Sequence, residues 1–325
     1  MSNDMKENTD LTPLRALIPG QKPKVLLVGN GINLSFQSGI DSWKDIIKAE
    51  LAYSGSELSY EQIKDLPAPM QIVVATGDHV NVRMKDLAGK LAKIEPPAEQ
   101  QSFIREMLAC RPDAILTTNY SLEIEKSAFE PFTRPRCYQY GRQSHKATEK
   151  QDTLGIFRCT ELPYGNNPYL WHIHGTCLKP ASLIMGHYCY GSLIHEAAAY
   201  IPQFMRIYKG KQSSGAEYRP ASWIDYFLMG DVHVVGLQMD VNESDLWWLI
   251  CCKKRNFPDT KTCYYTLKKE NHAKELLMQS YGVEIVYGAD LDIKEDYLDF
   301  YREAFRCFKN TGNSGAAETL GNLQK

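Results

Sequence analysis

The apolar positions of this chain gather into short runs: Lys24 to Val28, Ala114 to Thr118, Leu170 to His174, Val232 to Leu237, Thr262 to Leu267 and Val283 to Tyr287. Most are bounded by glycine or polar turn residues, the pattern of β-strands. The stretches between them are long enough for helices, and that alternation predicts a parallel sheet built from crossover units. The last third reads most directly. HVVGL, SDLWWLICCKK, TCYYTL, HAKELLMQSYG and VEIVYG alternate strand, helix, strand, helix, strand, with Gly282 placed to stop the second helix. The expected fold class is α/β, a doubly wound, mostly parallel, Rossmann-like sheet.

Two regions break the alternation. Residues 50–111 carry several helical patterns interrupted by Pro67, Pro69, Pro96 and Pro97, and residues 186–222 carry another in GSLIHEAAAYIPQFMRIY. Both are expected to be helical insertions packed over one edge of the sheet. Residues 131–168, with scattered prolines and glycines and the polar run QSHKATEKQD, predict an irregular excursion or a hairpin. Residues 1–22 and 310–325 are polar or Gly/Asn-rich, which predicts a flexible N-terminal tail and a disordered C-terminal tail around one domain at 23–309.

Composition narrows the partners. With 37 Lys+Arg against 39 Asp+Glu the formal charge is −2, so no global field favours a nucleic-acid backbone or an anionic membrane. Nine cysteines in no paired spacing argue against a secreted disulfide framework and fit a reducing cytoplasm. No signal peptide is visible and no run approaches the ~20 apolar residues of a membrane span, so a soluble protein is expected.

Chemistry is expected at the strand exits. KVLLVGNGINLSF places Gly29 and Gly31 after the first strand, where they fit either a diphosphate-binding turn or turn geometry alone; Leu34 stands where a dinucleotide fingerprint has its third glycine. Ser42 and Asp45 have capping-box spacing ahead of WKDIIKAEL. Asn119 follows DAILTT, and His174 follows YLWHI. Taken alone, Asn119 reads first as a turn residue. His172 and His174 share one face of a regular strand, but no third metal ligand is spaced beside them, and His172 suits a satisfied core histidine. What singles out the pair is that Asn119, His174 and the glycine loop all leave the sheet at its carboxyl edge, where open α/β sheets bind ligands. In GLQMDVNESD, Gly236 offers backbone access and Ser244 is expected to cap the following helix. Asp240, Glu243 and Asp245 suit a helix N-terminus, or the adenosine ribose side of a ligand.

GNGINLSF with DSWKDII, then ILTTNY, then WHIHG with SLIMGHYCY, then VVGLQMDVNESDLWWL resemble, in this order, the sirtuin-like domains of bacterial antiphage defence proteins. The resemblance covers most of residues 24–290. It implies NAD⁺ cleavage with water as acceptor, the catalytic asparagine and histidine falling on Asn119 and His174. It also implies nucleotide-binding positions at Gly29, Asn30, Gly31, Asn33, Thr118, Gly236, Leu237, Ser244 and Asp245. Two departures stand out. Ser121 occupies the place of the family's usual aspartate after TTNY, so a supporting hydrogen bond is either missing or supplied from elsewhere. The two CxxC pairs of protein-deacylating sirtuins have no counterpart, since Cys177 and Cys189 stand alone, so no zinc is expected and NAD⁺ is a substrate with no resident cofactor. A gated NAD⁺ glycohydrolase in phage defence is the leading expectation, with a homo-oligomer and a separate activating partner, an ATPase or a nucleotide-responsive protein. The alternative is a non-catalytic module that senses NAD⁺ or ADP-ribose.

Overall fold

The computed structural model describes residues 14–36, 39, 42–77, 80–129, 137–139, 154–293 and 295–311. Its strands are β1 (Lys24–Val28), β2 (Ala114–Thr117), β3 (Cys137–Gln139), β4 (Arg158–Glu161), β5 (Tyr169–His172), β6 (Asp231–Val235), β7 (Thr262–Thr266) and β8 (Val283–Tyr287). They form one eight-stranded sheet in the order β3-β4-β5-β2-β1-β6-β7-β8. Every pairing from β5 to β8 is parallel, while β3 and β4 pair antiparallel at one edge. The chain winds from β1 out to β2 and β5, then returns to lay β6 on the other side of β1. This is the doubly wound α/β arrangement, with β3 and β4 as an antiparallel edge pair; residues 131–136 and 140–153 of the expected excursion lie outside the described residues.

The helices are α1 (Gly31–Ser35), α2 (Trp43–Ser54), α3 (Tyr60–Ile63), α4 (Ala68–Thr76), α5 (Val80–Leu91), α6 (Ala98–Leu108), α7 (Glu123–Ala128), α8 (His187–Ser213), α9 (Trp223–Met229), α10 (Ser244–Asn256), α11 (His272–Ser280) and α12 (Tyr297–Asn310). The central strands are apolar along their length because both faces are covered. Val25 and Leu27 point into a core shared with Phe204 of α8, Trp223 of α9 and Leu249 of α10; Leu26 and Val28 point into one shared with Phe103 of α6 and Phe305 of α12. Each such large side chain contributes ~1.5–3 kcal/mol when fully buried.

The insertions are more divided than the pattern suggests. Helices α2, α4 and α5 build a small core of their own with Leu122, Cys177, Leu183 and Met185, residues that follow the exits of β2 and β5. That core covers the carboxyl edge. By contrast α6 packs flat on the sheet as the crossover helix from β1 to β2, and α8 and α9 cover the opposite face. Ser42 and Asp45 form the expected capping box on α2, and Gly282 takes a left-handed φ of 75° after α11. The expected N-terminal tail is corrected from residue 14 onward. Leu14 and Leu17 are buried, Leu17 pairs with Tyr218, and Arg15 donates to the carbonyls of Asn166 and Asn167 at 2.6 Å each. Residues 1–13 and 312–325, where tails were also expected, lie outside the described residues. No described helix is long and apolar enough to cross a membrane.

Candidate functional site

The glycine loop and the loop after β6 meet at the switch point between β1 and β6. A Cβ on Gly29 would lie 2.5 Å from the Gly236 carbonyl oxygen and from the Leu237 Cα, and one on Gly31 would lie 2.7 Å from the Tyr301 hydroxyl. The Gly31 amide is already donated to the Gly236 carbonyl at 2.8 Å. The glycines are therefore explained by contact between two parts of the chain itself. Of the two readings open for Gly29 and Gly31, turn geometry has this contact behind it, and Gly236 and Leu237 form its other side.

Asn119 lies two residues beyond β2 and His174 two beyond β5, and these strands are parallel neighbours with Thr117 opposite His172. Their exits run side by side: the Ile173 amide donates to the Thr117 carbonyl at 2.9 Å and the Cys177 amide to that of Tyr120 at 2.8 Å. Immediately after His174 the chain turns hard against Ser182. Gly175 takes a φ of 90°, and a Cβ there would collide with the Ser182 backbone, so a glycine must follow the histidine.

Asn119 is only 6 % exposed, and its side chain is held from below. Its Nδ2 donates to Glu123 Oε1 at 2.7 Å, and the same carboxylate accepts Asn33 Nδ2 at 3.0 Å and Ser121 Oγ at 2.5 Å. Gln100 in turn donates to Asn33 Oδ1 at 2.7 Å. A carboxylate at neutral pH accepts only, so the nitrogen of the Asn119 amide must face Glu123. Its Oδ1 is buried and has no partner among the described residues. The second Nδ2 hydrogen faces the Gly29 carbonyl, 3.5 Å away, so the amide nitrogen is committed inside the protein. Asn33, expected at the nucleotide, instead has both ends of its buried side chain in this network. The hydrogen bond that Ser121 leaves in question comes from Glu123, two residues on.

The backbone of Asn119 is held as well. His172 Nδ1 lies 2.6 Å from the Asn119 carbonyl and its Nε2 lies 2.9 Å from Glu125 Oε1. Burial works to lower the pKa of this imidazole, but the charge and hydrogen bond of Glu125, the Asn119 carbonyl and Glu123 outweigh it and raise it to about 9. His172 is thus an imidazolium at neutral pH that donates from both nitrogens, the satisfied histidine expected of it.

His174, 3 % exposed, meets the loop from β6. Strands β5 and β6 are separated by β2 and β1, three strand spacings or ~14 Å. The segment from Gly236 to Asp245 crosses that distance over the strand ends and sets Asp245 Oδ2 2.9 Å from His174 Nε2. Asp245 thus lies in the first turn of α10, one of the two places expected for it, and its carboxylate faces the candidate base. Glu243 Oε2 stands 3.9 Å from the same nitrogen and accepts the Tyr190 hydroxyl at 3.3 Å, while the Tyr190 ring packs edge-on against the imidazole. His174 Nδ1 makes no hydrogen bond to a described residue. Burial again pulls this pKa down, yet the charge and hydrogen bond of Asp245, followed by Glu243, leave it above the ordinary histidine value. Ser244 is corrected: α10 begins on it with no side-chain cap, and the residue is exposed. Asp240 organises the turn instead, accepting the Asn242 amide at 3.0 Å. Asn30 and Thr118 are half-buried beside the site.

Among the described residues, His174, Glu243 and Asp245 are the group able to hold a metal ion, their ligand atoms lying within 4.8 Å of one another. The 2.9 Å separation of Nε2 and Oδ2 is that of a hydrogen bond, which gives the imidazole and carboxylate a use without a metal. Glu123, Glu125 and Gln100 were not anticipated from sequence. The one signal toward them was Ser121 in place of the family's usual aspartate, which left a supporting hydrogen bond to be supplied from elsewhere. No protein-family model matches the chain, and no curated protein matches it.

Proposed function

We propose that the chain is an NAD⁺ glycohydrolase, cleaving the bond between nicotinamide and ribose with water and releasing nicotinamide and ADP-ribose. The observation that carries this reading is a buried amide oxygen with no partner among the described residues, Asn119 Oδ1, at the strand exit beside that of a histidine whose Nε2 is tied to Asp245. The leaving group is a cation, so breaking its ribosyl bond needs little acid assistance and passes through an oxocarbenium-like state. What the reaction needs is an oriented water and a place for its proton. Asn119 Oδ1 accepts a hydrogen bond from that water or from a ribose hydroxyl. As the water oxygen bonds to the ribose carbon, the bonding pair departs with the nicotinamide nitrogen and a water proton passes to His174 Nδ1. Asp245 keeps the other proton of the ring on Nε2 and stabilises the imidazolium that forms, a division of roles familiar from histidine–carboxylate pairs.

Unrestrained cleavage of NAD⁺ would kill the host, so we assign the activity to a gated effector in the cytoplasm, one that defends against phage by draining NAD⁺. The resemblance of GNGINLSF, ILTTNY and WHIHG to defence-system sirtuin-like domains supports that context. The burial of Asn119 and His174 supports the gating, since the site as it stands is closed to a dinucleotide. A homo-oligomer, and a separate partner that is an ATPase or responds to a nucleotide, would open it.

The test is product analysis with the neighbouring gene products present. Nicotinamide and ADP-ribose should accumulate with the wild type and not with Asn119→Ala or His174→Ala. Full activity in both variants would remove the site assignment, and NAD⁺ binding without nicotinamide release would turn the reading into a sensor.

A further inference from the structure

We infer that Glu123 is the positioning residue of this centre: its carboxylate sets which way the Asn119 amide points, so that Oδ1 and not Nδ2 is presented to the nucleotide. The inference rests on the glycohydrolase reading above, and it names a residue that the resemblance does not.

A primary amide can turn over about its last side-chain bond with almost no change in shape, and the two orientations do opposite chemistry. One offers an acceptor to water; the other offers a donor that would hold the water the wrong way round. Apart from Glu123, the orientation is held only by a long 3.5 Å contact of Nδ2 with the Gly29 carbonyl, and Oδ1 has no partner among the described residues. The choice is made behind it. Turning the amide over would set Oδ1 against Glu123 Oε1, now 2.7 Å from Nδ2, two acceptors facing each other in a buried place.

Glu123 is itself held firmly. It takes Asn119 and Asn33 on Oε1 and Ser121 on Oε2, and Asn33 is fixed from beyond by Gln100. Its neighbour on the same helix, Glu125, acts on the other half of Asn119 by holding His172, which grips the Asn119 carbonyl. Helix α7 thus fixes both the backbone and the side chain of the residue at the strand exit, and Ser121 acts as a donor to the carboxylate.

The experiment compares Glu123→Gln with Glu123→Ala. Glutamine keeps an acceptor oxygen for Asn119, and its nitrogen can face Ser121, whose hydroxyl accepts as well as donates. Positioning therefore predicts that Glu123→Gln stays within about fivefold of the wild-type kcat, while Glu123→Ala loses ~10²-fold in kcat with KM within about threefold, the scale expected when a reacting group is misplaced. Wild-type kcat in Glu123→Ala would overturn the inference. So would a Glu123→Gln as impaired as Glu123→Ala, because the charge and not the direction of the amide would then be what matters. A readout independent of turnover is the exchange of the Asn119 side-chain amide protons in protein labelled with ¹⁵N-asparagine. Exchange should be slow in the wild type and in Glu123→Gln and fast in Glu123→Ala; fast exchange in the wild type would overturn the inference even if nicotinamide release is never observed. Absence of release combined with slow exchange would instead remove the glycohydrolase reading and leave the hold on Asn119 standing.

Discussion

His172 and His174 stand two residues apart at the end of the same strand, and each is buried against a carboxylate. They are nevertheless different devices. His172 spends both ring nitrogens, one on Glu125 and one on the Asn119 carbonyl, and is left with nothing to exchange. His174 spends only Nε2, and its partner arrives on a loop that has crossed from the other half of the sheet. The same residue type at the same strand exit is therefore a clamp in one place and, in the function proposed above, a proton acceptor in the other. What decides is how many of its nitrogens the protein uses and whether the partner sits on the same rigid unit.

The sharpest way to break that comparison is to remove each imidazole in turn. His174→Ala should lower nicotinamide release by ~10²–10⁴, the usual worth of a general base, and it also costs stability, because the buried Asp245 loses its partner. His172→Ala should act first on stability. It leaves Glu125 buried without its partner, so unfolding in urea should show a loss of about 3–5 kcal/mol. If His172→Ala were as stable as wild type, the clamp would be wrong. If His174→Ala kept its activity, the base would be.

Asp245→Asn sharpens the contrast by a smaller step. A base works only when deprotonated, so wild-type activity should fall as pH drops through the His174 pKa, which Asp245 and Glu243 hold above the ordinary value. Removing the carboxylate should move that acid limb to lower pH. The new amide can also donate to Nε2 and leave the proton on Nδ1, the wrong nitrogen, so the plateau should fall by at least ~10-fold. Initial rates between pH 5 and 9 check both, and an unmoved limb would separate Asp245 from the base. The clamp responds to pH with opposite consequence. Because the folded pKa of His172 is raised to about 9, its contribution to stability is complete below the unfolded value of ~6.5 and is lost as pH climbs through 9. The melting temperature should decline over that window, and His172→Gln should flatten the decline.

The comparison also shows what the chain discloses before folding. Asn119 and His174 were legible because a polar residue at a strand exit is conspicuous against the apolar run before it. The parallel sheet was legible because its central strands, covered on both faces, are almost wholly apolar. The partners were not. Asp245 meets His174 only after a loop has crossed three strand spacings, and acids such as Glu123 look the same on paper whether they complement a helix dipole or hold an amide. The glycine loop stayed ambiguous for a related reason: close backbone approach demands glycine whether the neighbour is a diphosphate or a second loop such as Gly236 and Leu237. Helix α6 was grouped with the insertions because proline breaks mark boundaries without saying which helix returns to the sheet.

The smallest predicted effect tests the reading of one of those loops. Ser244 has the composition of a cap, yet the helix begins on it and its side chain caps nothing, whereas Asn271 accepts the Lys274 amide at 2.9 Å at the start of α11. Ser244→Ala should therefore change stability by less than about 0.5 kcal/mol and leave nicotinamide release within about twofold of wild type. Asn271→Ala should cost about 1 kcal/mol. Two serial urea titrations distinguish them. Should Ser244→Ala prove the costlier of the two, the loop from Gly236 to Asp245 would have to start its helix differently, and the placement of Asp245 against His174, which depends on that start, would have to be redrawn.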